Sequence, residues 1–256
     1  MKLYHYTKLR NIKQIWETKS LNFASTKLVN DPFERYKFVD LNYAIIPSGI
    51  SIDSFRSRFF DILYNYKQIS LCTDYDDGTS GYKSPMMWGH YAREWNVKRN
   101  MYEDGVCIEL DSDKLYLADI LNDRVSYSNN IPKVSLCETR FMEDMSFVDF
   151  IERNKKDIFF TKHKSWEHEN EYRLISIQCT RLDISNAIMK IYVHSQRTQK
   201  KIEDYIPERY IYPLVLAETN GSREINGYKC GNLEEINKMD ANNRQGGIPV
   251  KDFFNC

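Results

Sequence analysis

The stretch from Trp166 to Ile177 begins with several acidic residues and ends in an apolar, β-branched run. Such a run predicts a strand, in which successive side chains point to opposite faces. One face of this strand would carry Glu167, Glu169, Glu171 and Arg173. Carboxylates on one face lie about 7 Å apart. Their repulsion raises the proton affinity of one of them, which suits a general base or a group that polarises a hydroxyl. The alternative is a solvated edge on which Glu171 pairs with Arg173.

The segment just before this stretch is basic, with Lys162, His163 and Lys164 in a row. A solvated loop is the expected structure, and contact with phosphates is the alternative. His168 and Glu169 begin an HExxH motif, but Tyr172 occupies the position of the second His. A zinc protease site is therefore not expected, and neither is a metal.

The composition indicates a globular protein without a global charge. The chain has 256 residues, with 36 acidic and 36 basic side chains. No overall field therefore attracts it to nucleic acid or to an anionic membrane. There is no signal peptide pattern and no apolar stretch that could span a bilayer. The six cysteines lack CxxC spacing, which is typical of buried thiols in a reducing compartment, so we expect a cytoplasmic protein.

Hydrophobic periodicity predicts a mixture of strands and helices. Strands are predicted at 2–6, 21–24, 68–72, 105–110, 123–128, 166–177, 187–193 and 210–217. Helices are predicted at 9–18, 53–66, 84–92, 147–160 and 196–205, with Thr7 and Ser84 as N-caps of the first and third. A turn is predicted at Asn30–Glu34. The simplest interpretation is one α+β domain over residues 1–256, with a polar, weakly patterned tail from about residue 232.

The N-terminal segment Tyr4-His5-Tyr6-Thr7, followed by Asn11-Ile12, Ile15 and Leu21, resembles the opening of ADP-ribosyltransferase-superfamily proteins. It is most similar to the branch of DNA-modifying ADP-ribosyltransferase toxins and RNA 2′-phosphotransferases. Those proteins share a His-x-Thr on the first strand and a helix with Asn-Leu/Ile and Ile.

Later segments resemble a bacterial family, the domain-of-unknown-function 2971 family, which is grouped with that superfamily. The similar segments are 30–34, 87–92, 105–110, 160–169 and 171–175. The resemblance implies an ADP-ribosyltransferase-like split, bent β-sheet core with flanking helices, which grips NAD as a substrate. It also implies that His5 bonds the ribose beside the nicotinamide, with Tyr6 and Thr7 adjoining in the same NAD site.

The resemblance further implies an aromatic wall against the nicotinamide, for which the candidates are Trp88, Tyr91 and Tyr36. Trp88 and Tyr91 are three residues apart and would share a helix face. A glutamate would hold the ribose hydroxyl and stabilise the positively charged transition state, with Arg173 beside it. This glutamate is Glu171 or Glu169. Glu171 adjoins the apolar run and is expected to lie deeper.

The leading hypothesis is an NAD-dependent ADP-ribosyltransferase acting on a macromolecular acceptor, nucleic acid or protein. Such an enzyme would be a bacterial toxin or anti-phage effector that does not act at a membrane, and a neutralising protein is a further expected partner. One alternative is a catalytically inactive nucleotide- or protein-binding module with the same fold. Another is a metal-dependent nuclease that uses the glutamate cluster. Under the leading hypothesis, Glu171→Gln lowers NAD turnover by about a hundredfold and leaves folding intact.

Overall fold

A computed structural model of the chain describes residues 1–28, 39–40, 51–130, 134–135, 144–214, 216–219, 222–225 and 228–230. The predicted turn at Asn30–Glu34 and the candidate Tyr36 lie outside these residues. The chain divides into two compact units, Met1–Tyr212 and Pro213–Cys256. Sheets and several helices are both present, so the predicted α+β class is confirmed. None of the described helices is long and apolar enough to cross a membrane.

The elements are numbered in chain order. The strands up to residue 213 are β1 (Lys2–Thr7), β2 (Ser20–Asn22), β3 (Ala24–Ser25), β4 (Val39–Asp40), β5 (Lys67–Thr73), β6 (Arg93–Asn96), β7 (Met101–Asp104), β8 (Val106–Asp111), β9 (Leu121–Arg124), β10 (Ser126–Ser128), β11 (Val134–Ser135), β12 (Thr161–His163), β13 (Glu171–Ser176), β14 (Arg181–Asp183), β15 (Ile188–Val193) and β16 (Ile211–Pro213). The described part of the second unit contains three antiparallel strands, β17 (Leu216–Thr219), β18 (Ser222–Ile225) and β19 (Tyr228–Cys230).

Among the described residues, the α-helices are α1 (Leu9–Thr18), α2 (Ile52–Leu63), α3 (Pro85–Met87), α4 (Asp144–Arg153), α5 (Lys155–Phe159) and α6 (Gln196–Ile202). A π-helix at Trp88–Ala92 continues directly from α3. The 3₁₀ helices are Thr26–Leu28, Gly81–Lys83, Ser112–Lys114, Lys164–Glu169 and Glu208–Tyr210.

The central sheet has the strand order β16-β15-β8-β1-β5-β13-β9, with β3 added beside β5. Strand β1 pairs with β8 along its whole length, from Lys2–Asp111 to Thr7–Val106. Its recorded pairs with β5 are Leu3–Thr73 and Tyr4–Cys72. Farther along β5, residues 67–68 pair with β3 instead. Strands β1 and β5 therefore separate, which opens a gap in the middle of the sheet.

The described residues form two hydrophobic cores that pack against the sheet. The first gathers apolar side chains from the central strands, such as Leu3, Leu71 and Leu174, together with Ile12 of α1. The second surrounds Ile175 with Phe and Ile side chains of α2, α4 and α5. Alternation along β13 explains the division, because Leu174 and Ile175 point to opposite faces. Full burial of each such side chain stabilises the fold by about 1.5–3 kcal/mol.

Most predicted elements are present, but several capping or boundary predictions are wrong. Thr7 is not the N-cap of α1, since Thr7 ends β1 and Lys8 is the N-cap without a side-chain hydrogen bond. The hydroxyl of Thr7 accepts a hydrogen bond from the amide of Asn11 at 3.2 Å instead. The predicted helix 147–160 is divided at Asn154, whose side chain donates to the Phe150 carbonyl at 2.8 Å.

The predicted strand 123–128 is also divided, into β9 and β10, which belong to different sheets. The division falls at Val125, whose N–H donates to the Glu171 carbonyl. The next residue, Ser126, donates its N–H to the Phe160 carbonyl. The strand predicted at 210–217 likewise forms β16 and β17, with Pro213 at the end of β16.

Candidate functional site

A cavity of about 250 Å³ lies beside the point where β1 and β5 separate. We call the place where β1 and β5 separate the split. The cavity wall combines residues of these two strands with side chains from the π-helix, β12 and the start of β13. The polar and aromatic residues at its surface include Tyr4, His5, Tyr6, Gln68, Ser70, Tyr91, Lys162, Glu169, Glu171 and Arg173. The cavity therefore brings together residues that are more than 160 positions apart in the sequence.

A buried ion pair on β13 forms one side of this site. The guanidinium of Arg173 donates to both carboxylate oxygens of Glu171, from Nε at 2.7 Å and from a terminal nitrogen at 2.8 Å. Another terminal nitrogen donates to the Phe159 carbonyl at 2.7 Å. Arg173 is 0% exposed and Glu171 is 4% exposed. Paired donors in this fork geometry fix the carboxylate in position as well as neutralising it.

A second buried pair adjoins the first. The ammonium of Lys162 donates to Glu169 at 2.6 Å and lies 3.5 Å from Glu171. The hydroxyl of Tyr91 donates to the other oxygen of Glu169. The cluster of Lys162, Glu169, Glu171 and Arg173 therefore contains two cations and two anions, and its charges balance internally. The predicted solvated basic loop is wrong for Lys162, which is buried in β12.

The arrangement of the glutamates differs from the predicted single strand face. Glu167 and Glu169 lie in the 3₁₀ helix Lys164–Glu169, and β13 begins only at Glu171. Asn170 separates the two elements in a left-handed conformation, with φ 42°. Its amide donates to the Thr73 carbonyl at 3.2 Å and the Asp74 carbonyl at 2.9 Å. These bonds hold a reversal that places Glu169 beside Lys162, whereas Glu167 is exposed.

The electrostatics of Glu171 also differ from the prediction. Burial raises the pKa of this carboxyl, but Arg173, Lys162 and the hydroxyl of Ser70 outweigh it and hold the pKa well below its usual range. The prediction that repulsion raises the proton affinity of a carboxylate is therefore wrong for Glu171. At neutral pH Glu171 is a fixed anion and is not suited to act as a general base.

His5 reaches the same cavity from β1. Alternation and register assign it to the sheet face opposite Tyr4, Cys72 and Glu171. Both His5 and Glu171 nevertheless line the cavity, because it lies at the split between the strands. Burial lowers the pKa of His5 to about 4, and a hydrogen bond with the Ser70 backbone opposes this only in part. The ring is therefore neutral at pH 7, and its Nδ1 is buried without a hydrogen-bond partner.

The two candidates for the aromatic wall have different environments. Tyr91 lines the cavity, whereas Trp88 packs edge-on against Tyr6 and His194 and donates its N–H to the Tyr82 carbonyl at 2.8 Å. The prediction that Trp88 and Tyr91 share a helix face fails because the segment is a π-helix, which is wider than an α-helix. The predicted N-cap is confirmed, since Ser84 accepts a hydrogen bond from the Met87 N–H.

Of the other residues predicted for the NAD site, Tyr6 lines the cavity and Thr7 does not. Tyr6 lines the cavity and donates its hydroxyl to the Gly81 carbonyl at 2.5 Å. Thr7 is buried at the end of β1 and bonds to Asn11. Sequence reasoning missed Gln68 and Ser70, which lie on the β5 side of the split. Their only signal was alternation along β5, where polar residues 68 and 70 share a face.

Among the described residues, no group of three or more His, Cys, Asp or Glu side chains could hold a metal ion. No curated protein and no solved structure matches the chain. The resemblance to ADP-ribosyltransferases therefore stays a prediction. Residues 87–174, about a third of the chain, match the model of a family described as a protein of unknown function, DUF2971. This segment runs from Met87, at the end of α3, to Leu174 of β13, so the buried charge cluster lies within the part of the chain that carries the DUF2971 pattern.

Proposed function

We propose that the protein binds NAD at the split in the sheet and transfers its ADP-ribose to a macromolecular acceptor. The observation that carries this proposal is the meeting of His5, Tyr91 and two buried carboxylates at one cavity. A volume of about 250 Å³ lies just below the usual range for ligand pockets. The nicotinamide and its ribose are therefore the part of NAD assigned to the cavity.

The roles follow from the chemistry of each group. When the bond between nicotinamide and ribose breaks, nicotinamide leaves with the bonding electrons and the ribose becomes positively charged. Glu171 is an anion already held in place by Arg173, so it stabilises this charge without reorganising. The acceptor atom then bonds to the same ribose carbon and gives up its proton to solvent. Tyr91 supplies an aromatic ring for the cationic nicotinamide.

The test is an assay of nicotinamide release from NAD by the full chain, with calorimetry of NAD binding. We expect release by the parent protein and a loss of up to about tenfold in His5→Leu, which removes one hydrogen bond to the ribose. The matched control is Glu167→Gln, because Glu167 is exposed and precedes the cluster in sequence. A parent protein that neither binds nor cleaves NAD contradicts the proposal.

A second candidate is a nucleotide- or protein-binding module without catalysis. It is favoured by the internal balance of the cluster, because Glu169 and Glu171 already have Lys162 and Arg173 as counter-ions. Under this candidate NAD binds and no nicotinamide is released. Action as a toxin or anti-phage effector, and the existence of a neutralising protein, stay predictions from the resemblance.

A further inference from the structure

The hairpin formed by β6 and β7 concentrates exposed apolar side chains in a short segment. Among the described residues, eleven large apolar side chains are exposed, and four of these belong to the hairpin: Trp95, Val97, Met101 and Tyr102. Their exposed fractions run from 38% for Met101 to 81% for Val97. Single exposed apolar side chains are ordinary, whereas a contiguous group of them marks a surface that binds a partner.

The aromatic side chains of the hairpin share one face. Trp95 lies directly opposite Tyr102 in the strand register, so both rings project to the same side. The rings meet edge to face, with 4.9 Å between their centroids. The guanidinium of Arg93 lies 4.4 Å from the centre of the Tyr102 ring. Trp, Tyr and Arg are the residue types that contribute most to affinity at protein interfaces.

Helix α6 supports the hairpin from its other face. The Thr198 hydroxyl donates to the Asp104 carbonyl at 2.9 Å, and the Lys201 ammonium donates to Glu103 at 2.8 Å. Glu103 alternates with Tyr102 along β7 and therefore points away from the aromatic pair. A supported hairpin presents its aromatic face already ordered, which reduces the entropy lost when a partner binds.

The surroundings of the hairpin are basic. Residues 93–104 contain three acidic and three basic side chains. In the described part of the chain, the charged side chains of other elements that bond to the hairpin all add positive charge, and they are Lys8, Arg10, Arg197 and Lys201. Seven basic side chains therefore accompany three acidic ones. An acidic partner surface is the electrostatic complement.

The contacts favour a protein over a nucleic acid as the partner. Five of the seven cations are already held in ion pairs with acids of the hairpin, whereas a phosphate backbone binds through cations that are available to it. Arg93 occupies one face of the Tyr102 ring, on which a base would stack. Val97 and Met101 add aliphatic surface that suits a protein. Aromatic, Met and Arg side chains are enriched at protein interfaces.

We propose that the β6–β7 hairpin is a docking surface for an acidic segment of another protein. Trp95 and Tyr102 are the apolar anchors, and the surrounding cations form the rim. None of the residues 93–104 lines the cavity. The inference therefore goes beyond the proposed function and holds whether or not the protein cleaves NAD.

The test is a selection of random peptides, displayed on phage, on the immobilised full chain. We expect the enriched peptides to combine a net negative charge with at least one large apolar residue. Their affinity, measured by calorimetry, should fall at least about tenfold in Trp95→Ser/Tyr102→Ser, since an interface anchor contributes about 2 kcal/mol or more. The matched control is Tyr116→Ser, because Tyr116 is 79% exposed and lies outside the hairpin; its affinity should equal that of the parent.

Charge gives a second readout that does not disturb the aromatic pair. Lys98→Glu reverses one charge at the exposed tip of the hairpin and should weaken binding of the selected peptides by about threefold or more. Raising the NaCl concentration from about 0.05 M to about 0.5 M should weaken it in the parent as well. Selected peptides without an acidic excess overturn the inference, as does a selection that enriches none. Binding that both the double variant and Lys98→Glu retain overturns it too.

Two other occupants are outcomes of the same set of proteins. Fluorescence anisotropy with a labelled oligothymidylate measures binding of single-stranded nucleic acid. Analytical ultracentrifugation measures association with a second copy of the chain. We expect the parent to be monomeric and to bind the oligonucleotide no better than the double variant does. Oligonucleotide binding or dimerisation that the double variant loses would assign the hairpin to that occupant and overturn the inference.

Discussion

Replacing Glu171 by Gln should destabilise the protein strongly, contrary to the expectation from the sequence that folding survives. Arg173 is fully buried, and Glu171 is its bidentate partner. Gln offers one oxygen and one NH₂ group, so one guanidinium N–H would face another donor. Removing one partner of a buried ion pair costs about 3–5 kcal/mol. In a domain of this size each kcal/mol lowers the melting temperature by about 2–4 °C, which gives a fall of about 6–20 °C.

Thermal unfolding followed by circular dichroism at pH 7.5 measures this effect. Glu167→Gln makes the same chemical change at an exposed position and should leave the melting temperature within about 2 °C of the parent. The double variant Glu171→Leu/Arg173→Met leaves no unpaired charge and should recover much of the loss. A single Glu171→Gln variant that melts with the parent would refute the reasoning, because the pair would then not be holding the fold.

Three further predictions concern other parts of the molecule. Folding lowers the pKa of His5 from 6.5 to about 4. Below pH 6.5 the unfolded chain therefore binds a proton that the folded protein does not, so the free energy of unfolding is unaffected by His5 above pH 6.5 and falls as the pH drops from 6.5 to 4. Urea unfolding of His5→Gln over this range should show a shallower loss, and an unchanged pH slope contradicts the assignment. Gly105→Ala should cost about 3 kcal/mol or more, since a Cβ there would lie 2.1 Å from the Thr7 carbonyl oxygen and 2.5 Å from that of Ala92; a melting temperature equal to the parent's would disprove the close approach. Gly89→Ala, where a Cβ meets nothing within 4 Å, should be neutral or stabilise by up to about 1 kcal/mol, as measured in the same melting experiment.

The strands and helices could be predicted because each depends on residues close together in the sequence. The apolar run after Gly105 and the Ser84-Pro85 pair are examples, and both form the expected element. Local patterns of this kind express periodicity and capping, which need no knowledge of distant contacts.

The site could be predicted only in part. His5, Tyr91, Glu169 and Glu171 all line the cavity, but their geometry depends on contacts between distant segments. A single left-handed residue, Asn170, decides where Glu169 points. Periodicity carries no signal for such a conformation. The burial of Lys162 was missed for the same reason, because Lys is normally exposed and its carboxylate partners follow it by seven and nine positions.

In the π-helix at Trp88–Ala92, the position of the Tyr91 ring depends on the number of residues in the turn as well as on their types. An α-helix turns by about 100° per residue and a π-helix by somewhat less, so losing one residue before Tyr91 would rotate its phenol away from Glu169 unless the turn tightened to α geometry to compensate. Deleting Gly89, whose surroundings are open, would then disconnect the ring from the cavity without altering any charged side chain. A crystal structure of that deletion variant with the tyrosine still bonded to Glu169 would exclude this coupling between chain length and the cavity wall.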